Sequence, residues 1–214
     1  MDLKVDLSEF QYFFKVISKN TKRLLDKSVD AYNSMLELDP EESKEIHLDM
    51  GAALEKKGNY EGAIKIYSKI LLHDPNNVIA LFKLGKIYTQ LGLLNKSIEM
   101  LKKVTTLDRD FAEAFYLLGS ALFSIDENRE ALDALNRVIE LNPGNADAFY
   151  KLGLIYDALL QHDSSIEAYL KAITFKPDFV KAYQSLGFAY EAKGMRDEAV
   201  KYFKKSLELE EKNK

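Results

Sequence analysis

Five glycines, Gly51, Gly85, Gly119, Gly153 and Gly187, recur at intervals of 34 residues. The same frame of small and apolar positions surrounds each, so one structural unit is repeated in register. A unit this short cannot bury an apolar face alone and has to stack on its neighbours. Spacings of three, four and seven within the frame place those residues on one side of a helix. The period therefore predicts an all-α solenoid of helix–turn–helix units over 44–77, 78–111, 112–145, 146–179 and 180–213.

The frame is fullest in 146–179, with Phe149, Leu152-Gly153, Tyr156, Ser165, Tyr169, Ala172 and Pro177. Pro75 and Pro143 close two other units, while Arg109 and Glu211 take that place in 78–111 and 180–213. Glycine where two helices cross lets their backbones approach closely, and the aromatic rings fill the space beside it. A second glycine marks the turn between paired helices at Gly58, Gly92 and Gly194, where a left-handed backbone costs little. Asp126 and Leu160 stand at the equivalent places, and Leu160 is the odder substitute. Ser164-Ser165-Ile166-Glu167 reads as a capping box. Residues 1–43 form a repeat-like but atypical segment: Ser28 to Pro40 reads as a second helix without a Leu-Gly partner. Pro40 and Pro75 are 35 residues apart, so one extra residue lies near Glu41 to Lys44.

These positions resemble the tetratricopeptide repeat (TPR) family over nearly the whole chain. The resemblance implies that the first helix of each repeat lines a concave surface. Residues two, five, nine and twelve of the frame then point inward. Those positions include Phe82, Lys86, Tyr116, Phe123, Tyr150, Leu154, Gln184 and Phe188. The usual packing slots are filled by other residues, so these side chains are expected to stay partly uncovered in a protein-binding groove. The competing expectation is that superhelical curvature buries the rings against neighbouring repeats. Lys83, Lys86 and Lys151 stand among apolar residues without an asparagine set, so the expected occupant is an apolar helix or extended segment rather than a carboxylate tail.

Composition narrows the function further. A net charge of −4 provides no basic stripe for phosphate backbones, so nucleic acid is not expected as a partner. Zero cysteines exclude disulfides and thiolate metal sites. His47, His73 and His162 fall in different repeats, and His162-Asp163-Ser164 reads as a helix start rather than a triad. No catalytic residue, cofactor, metal or small-molecule substrate is expected. The start lacks a basic and apolar leader, and no apolar run approaches a membrane span, so a soluble cytoplasmic protein is expected. Lys15, Lys19, Lys22, Arg23 and Lys27 form a basic cluster that reads either as a solvated helix face or as a contact for anionic lipid or an acidic partner.

Leu3, Leu7, Phe10, Phe14 and Ile17 make one apolar stripe that Phe13 widens, with Ser8 and Gln11 as a capping box. This segment either caps its own solenoid or docks into the groove of the next molecule, a head-to-tail contact that propagates. The junction from Val29-Asp30-Ala31-Tyr32 to Asp49-Met50-Gly51, and the closing Tyr190-Glu191-Ala192-Lys193-Gly194 with Phe203-Lys204-Lys205, are similar to the magnetosome-associated TPR proteins of magnetotactic bacteria. That resemblance implies a homo-oligomeric cytoplasmic scaffold that coats the organelle membrane peripherally by binding proteins there. It implies docking over capping, with Leu7, Phe10, Phe13, Phe14 and Ile17 as the plug. Phe82, Tyr116, Tyr150 and Phe188 would then line the socket.

Overall fold

The computed structural model describes residues 40–212, and the chain divides into two compact units, 1–59 and 60–214. Among the described residues, ten helices and no strand are found. The first unit contains α1 (Pro40–Lys56), with proline at the first helical position, where its missing N–H costs nothing. This helix starts within the segment read as atypical. Its His47 is buried, at 5% exposure, in keeping with a packing role. The leader helix expected around Leu7 to Ile17 lies outside the described residues.

The second unit opens with α2 (Tyr60–His73) and continues as four helical hairpins. These are α3 (Val78–Gln90) with α4 (Leu94–Leu107), and α5 (Ala112–Phe123) with α6 (Asn128–Leu141). They are followed by α7 (Ala146–Ala158) with α8 (His162–Phe175), and α9 (Val180–Ala192) with α10 (Arg196–Lys212). Each helix packs chiefly on those next to it in sequence, as expected for stacked repeats. A continuous core runs through them, built from residues such as Leu81, Leu101, Leu118, Leu135, Leu152 and Ala172.

Gly85, Gly119, Gly153 and Gly187 sit where the paired helices cross. A β-carbon on Gly85 or Gly119 would lie 2.8 Å from Leu101 Cγ or Leu135 Cγ, and one on Gly187 would lie 2.5 Å from Phe203 Cε1. The Tyr169 ring lies closer still over Gly153. The turn position behaves as the sequence indicates: Gly58, Gly92 and Gly194 have φ of 73°, 70° and 76°, and Asp126 and Leu160 share that backbone at 63° and 57°. In each turn the next N–H reaches back to the carbonyl five residues earlier, as in Gln161 N–H to Tyr156 O at 2.8 Å and Met195 N–H to Tyr190 O at 2.9 Å. This is the helix-ending geometry that requires a left-handed residue.

The capping box read at Ser164 is not formed. Helix α8 begins at His162, two residues earlier, and Ser165 lies fully buried inside it, its hydroxyl donating to the His162 carbonyl at 3.0 Å. Side-chain caps occur instead at Asn77, which accepts from Ala80 N–H at 3.0 Å, and at Asn145, which accepts from Ala148 N–H at 2.9 Å.

Candidate functional site

The residue just before each first helix decides how far the rings expected in the groove are covered. That position is occupied in turn by Asn77, Phe111, Asn145 and Phe179. Each asparagine turns its oxygen onto its own helix and caps α3 or α7. Each phenylalanine has no oxygen to offer and instead covers a ring of the preceding first helix. Phe111 lies 4.6 Å from Phe82, and Phe179 lies 4.9 Å from Tyr150, between ring centroids. The two roles alternate along the stack.

This arrangement corrects the expectation for Phe82. Its ring is only 7% exposed, buried by Phe111 and the neighbouring core, and so is not an uncovered groove surface. Tyr116, Phe123, Tyr150 and Leu154 are half-buried, packed on one side against the core and open on the other. Phe188 is the most open ring of the set, at 62% exposure, and meets Phe203 edge-on at 4.9 Å. Gln184 is engaged by its neighbour, its amide donating to Glu210 Oε1 at 2.7 Å. Among these residues, Phe82 on α3 is therefore the most covered and Phe188 on α9 the most open.

Its charges are mixed and local. Lys86 Nζ approaches Glu113 Oε1 at 3.9 Å across two repeats. Burial is the main cause that lowers the Lys151 pKa; Lys181 adds repulsion while Asp147 opposes the shift. Burial also raises the Tyr116 pKa, with the Asp147 carboxylate acting in the same direction. Such a surface offers half-covered rings and a few desolvated charges, which suits a polypeptide more than a small polar ligand. Among the described residues, no group of three or more His, Asp or Glu is placed to hold a metal, and no helix is long and apolar enough to cross a membrane. Sequence reasoning missed Phe111 and Phe179. The signal was available, because both occupy the last position of the 34-residue frame.

Comparison with known proteins agrees with this architecture. Tetratricopeptide-repeat family models match residues 54–121, 119–159, 161–194 and 180–213. No curated protein sequence matched the chain. Among solved structures, one described as the crystal structure of MamA protein is 58% identical, with a TM-score of 0.76, covering 79% of this chain and 92% of that one. MamA from Desulfovibrio magneticus RS-1, solved from residue 41 to its end, is 29% identical with a TM-score of 0.76, covering 79% of this chain and 96% of that one. YrrB, described as a TPR protein with an unusual peptide-binding site, is 21% identical with a TM-score of 0.70 over 76% of this chain and 84% of that one, and shares the fold. A stack of 34-residue helical hairpins and these likenesses lead to one assignment: the chain belongs to the MamA family of tetratricopeptide-repeat proteins.

Proposed function

We propose that this chain is a non-enzymatic scaffold that assembles with copies of itself and gathers partner proteins at the cytoplasmic face of the magnetosome membrane. The observation that carries this reading is the half-covered aromatic face formed by Tyr116, Tyr150, Leu154 and Phe188, which a polypeptide can complete. The apolar stripe Leu7, Phe10, Phe13, Phe14 and Ile17 supplies a matching segment within the same chain. In this reading the stripe of one copy enters the groove of the next, and grooves left open at the ends take client proteins. Membrane association is peripheral and runs through those clients. The likeness to MamA structures supports the scaffold role and its place.

Light scattering on the full chain and on a form lacking residues 1–39 tests self-assembly. The full chain is expected to form large species at about 10–50 μM, a range where apolar contacts of this size associate, and the truncated form is expected to remain small. A full chain that stays monomeric at that concentration overturns the reading in favour of a monomeric adaptor for an unrelated client.

A further inference from the structure

Two kinds of residue precede the first helices, and each leaves the ring behind it in a different state. Phe111 lies 4.6 Å from Phe82 and Phe179 lies 4.9 Å from Tyr150, so in both places a phenylalanine covers the fifth-position ring of the preceding repeat. Asn145 holds the same place in the 34-residue frame relative to Tyr116. Its Oδ1 accepts from Ala148 N–H at 2.9 Å, so its side chain is engaged in capping α7. Tyr116 is half-buried, and the place over it that a phenylalanine takes in the other two steps is left to this asparagine.

The chain itself shows which group completes such a step: a phenylalanine ring, at a separation where tilted aromatic pairs attract. Charge agrees with an uncharged occupant. Glu113, three residues before Tyr116 on α5, lies 3.9 Å from Lys86. Asp147, which acts electrostatically on both Tyr116 and Lys151, lies 4.0 Å from Lys176. The acidic groups around the ring are thus matched by lysines, and a further charge brought to this step would go unpaired. Residues 1–39, which precede the described residues, contain Phe10, Phe13 and Phe14 within the apolar stripe. We propose that one of these rings from a second copy covers Tyr116, as Phe111 covers Phe82 and Phe179 covers Tyr150, and that Asn145 is the residue that keeps this step free for it. The contact rests on the self-assembly proposed above and fixes where along the stack the docked segment is anchored.

Asn145→Phe tests the contact, because position 145 then has the residue that stands at 111 and 179 and covers Tyr116 from within the chain. Asn145→Ala gives the baseline, since it loses the same cap without bringing a ring. Association of the full chain is followed by light scattering over a dilution series, with circular dichroism to verify that each variant is helical. Asn145→Phe is expected to associate about tenfold more weakly than Asn145→Ala, the scale set by one buried apolar side chain. Phe10→Ala, Phe13→Ala and Phe14→Ala are each combined with Asn145→Phe in double-mutant cycles. For the ring that covers Tyr116 the two losses are expected not to multiply, because both remove one contact. Tyr116→Leu approaches the same contact from its other side and supplies the cycles if Asn145→Phe does not fold. Association of Asn145→Phe equal to that of Asn145→Ala, or losses that multiply for all three phenylalanines, overturns this contact alone. A wild-type chain that stays monomeric overturns the self-assembly and this contact with it.

Discussion

Leu160 has a left-handed backbone in a turn whose counterparts are glycine in three repeats. A side chain in that conformation costs about 1–2 kcal/mol, and with 76% of its surface exposed it has little packing to compensate. Leu160→Gly removes the strain and gives back about 0.5–1 kcal/mol through the freer unfolded chain. A net gain of up to about 1 kcal/mol is therefore expected, read as a higher unfolding midpoint. A lower midpoint would mean that the side chain contributes more than its exposure suggests. Tyr169 gives a second case, set by burial. Its hydroxyl donates to Asp157 Oδ2 at 2.7 Å, and burial first, then the Asp157 contact, raises its pKa far above the ordinary value of 10.0. As pH rises, the unfolded chain loses this proton before the folded one does. The stabilisation is therefore complete below about pH 10 and is lost above it, at about 1.4 kcal/mol per pH unit. Tyr169→Phe is expected to cost about 1 kcal/mol at neutral pH and to flatten the alkaline fall in the denaturant midpoint. An equally steep fall in both proteins would assign the alkaline loss to other groups.

The helices and their turns were legible because both follow a fixed period, and periodicity survives substitution at single positions. The left-handed turn at Asp126 and Leu160 could be read for the same reason: the backbone is set by the repeat, whatever residue fills it. Caps were less legible. Ser164 and Glu167 have the letters of a capping box, but the repeat places α8 two residues earlier and draws Ser165 into the core slot that alanine fills at Ala131 and Ala199. The caps that do form, Asn77 and Asn145, each satisfy a backbone donor at the start of a first helix. Asn145→Ala should cost about 1 kcal/mol, measured by chemical denaturation, and a change within error would mean that water satisfies the freed donor equally well. One junction could not have been read at all. Where Arg109 replaces the closing proline, the Arg137 guanidinium donates to the Arg109 carbonyl at 3.1 and 3.2 Å and pairs with Asp110 at 3.0 Å. These groups are 28 and 27 residues from Arg137, and only stacking of the repeats brings them together.

Across the stack, the rings expected on the inner face differ in how far their neighbours cover them. Position within the repeat set which rings to expect on that face, but it could not show that Phe111 would fold over Phe82, since that depends on which residue ends the repeat. Phe82 and Phe188 are therefore expected to respond differently to the same change. Phe82→Ala removes a buried ring and leaves a cavity beside Phe111, at a cost of about 3–5 kcal/mol, visible as early loss of helical circular dichroism on heating. Phe188→Ala removes a ring that is 62% exposed and gives up chiefly its edge contact with Phe203, worth about 0.5–1.5 kcal/mol. If the inner face takes a polypeptide, Phe188→Ala should weaken assembly or client binding severalfold while the melting curve scarcely moves. Tyr116→Ala and Tyr150→Ala should fall between these limits, because each ring is half in the core. Retained binding by Phe188→Ala, measured at a concentration near the midpoint of association, would remove the open end of the groove from the contact and leave the half-buried tyrosines to account for it.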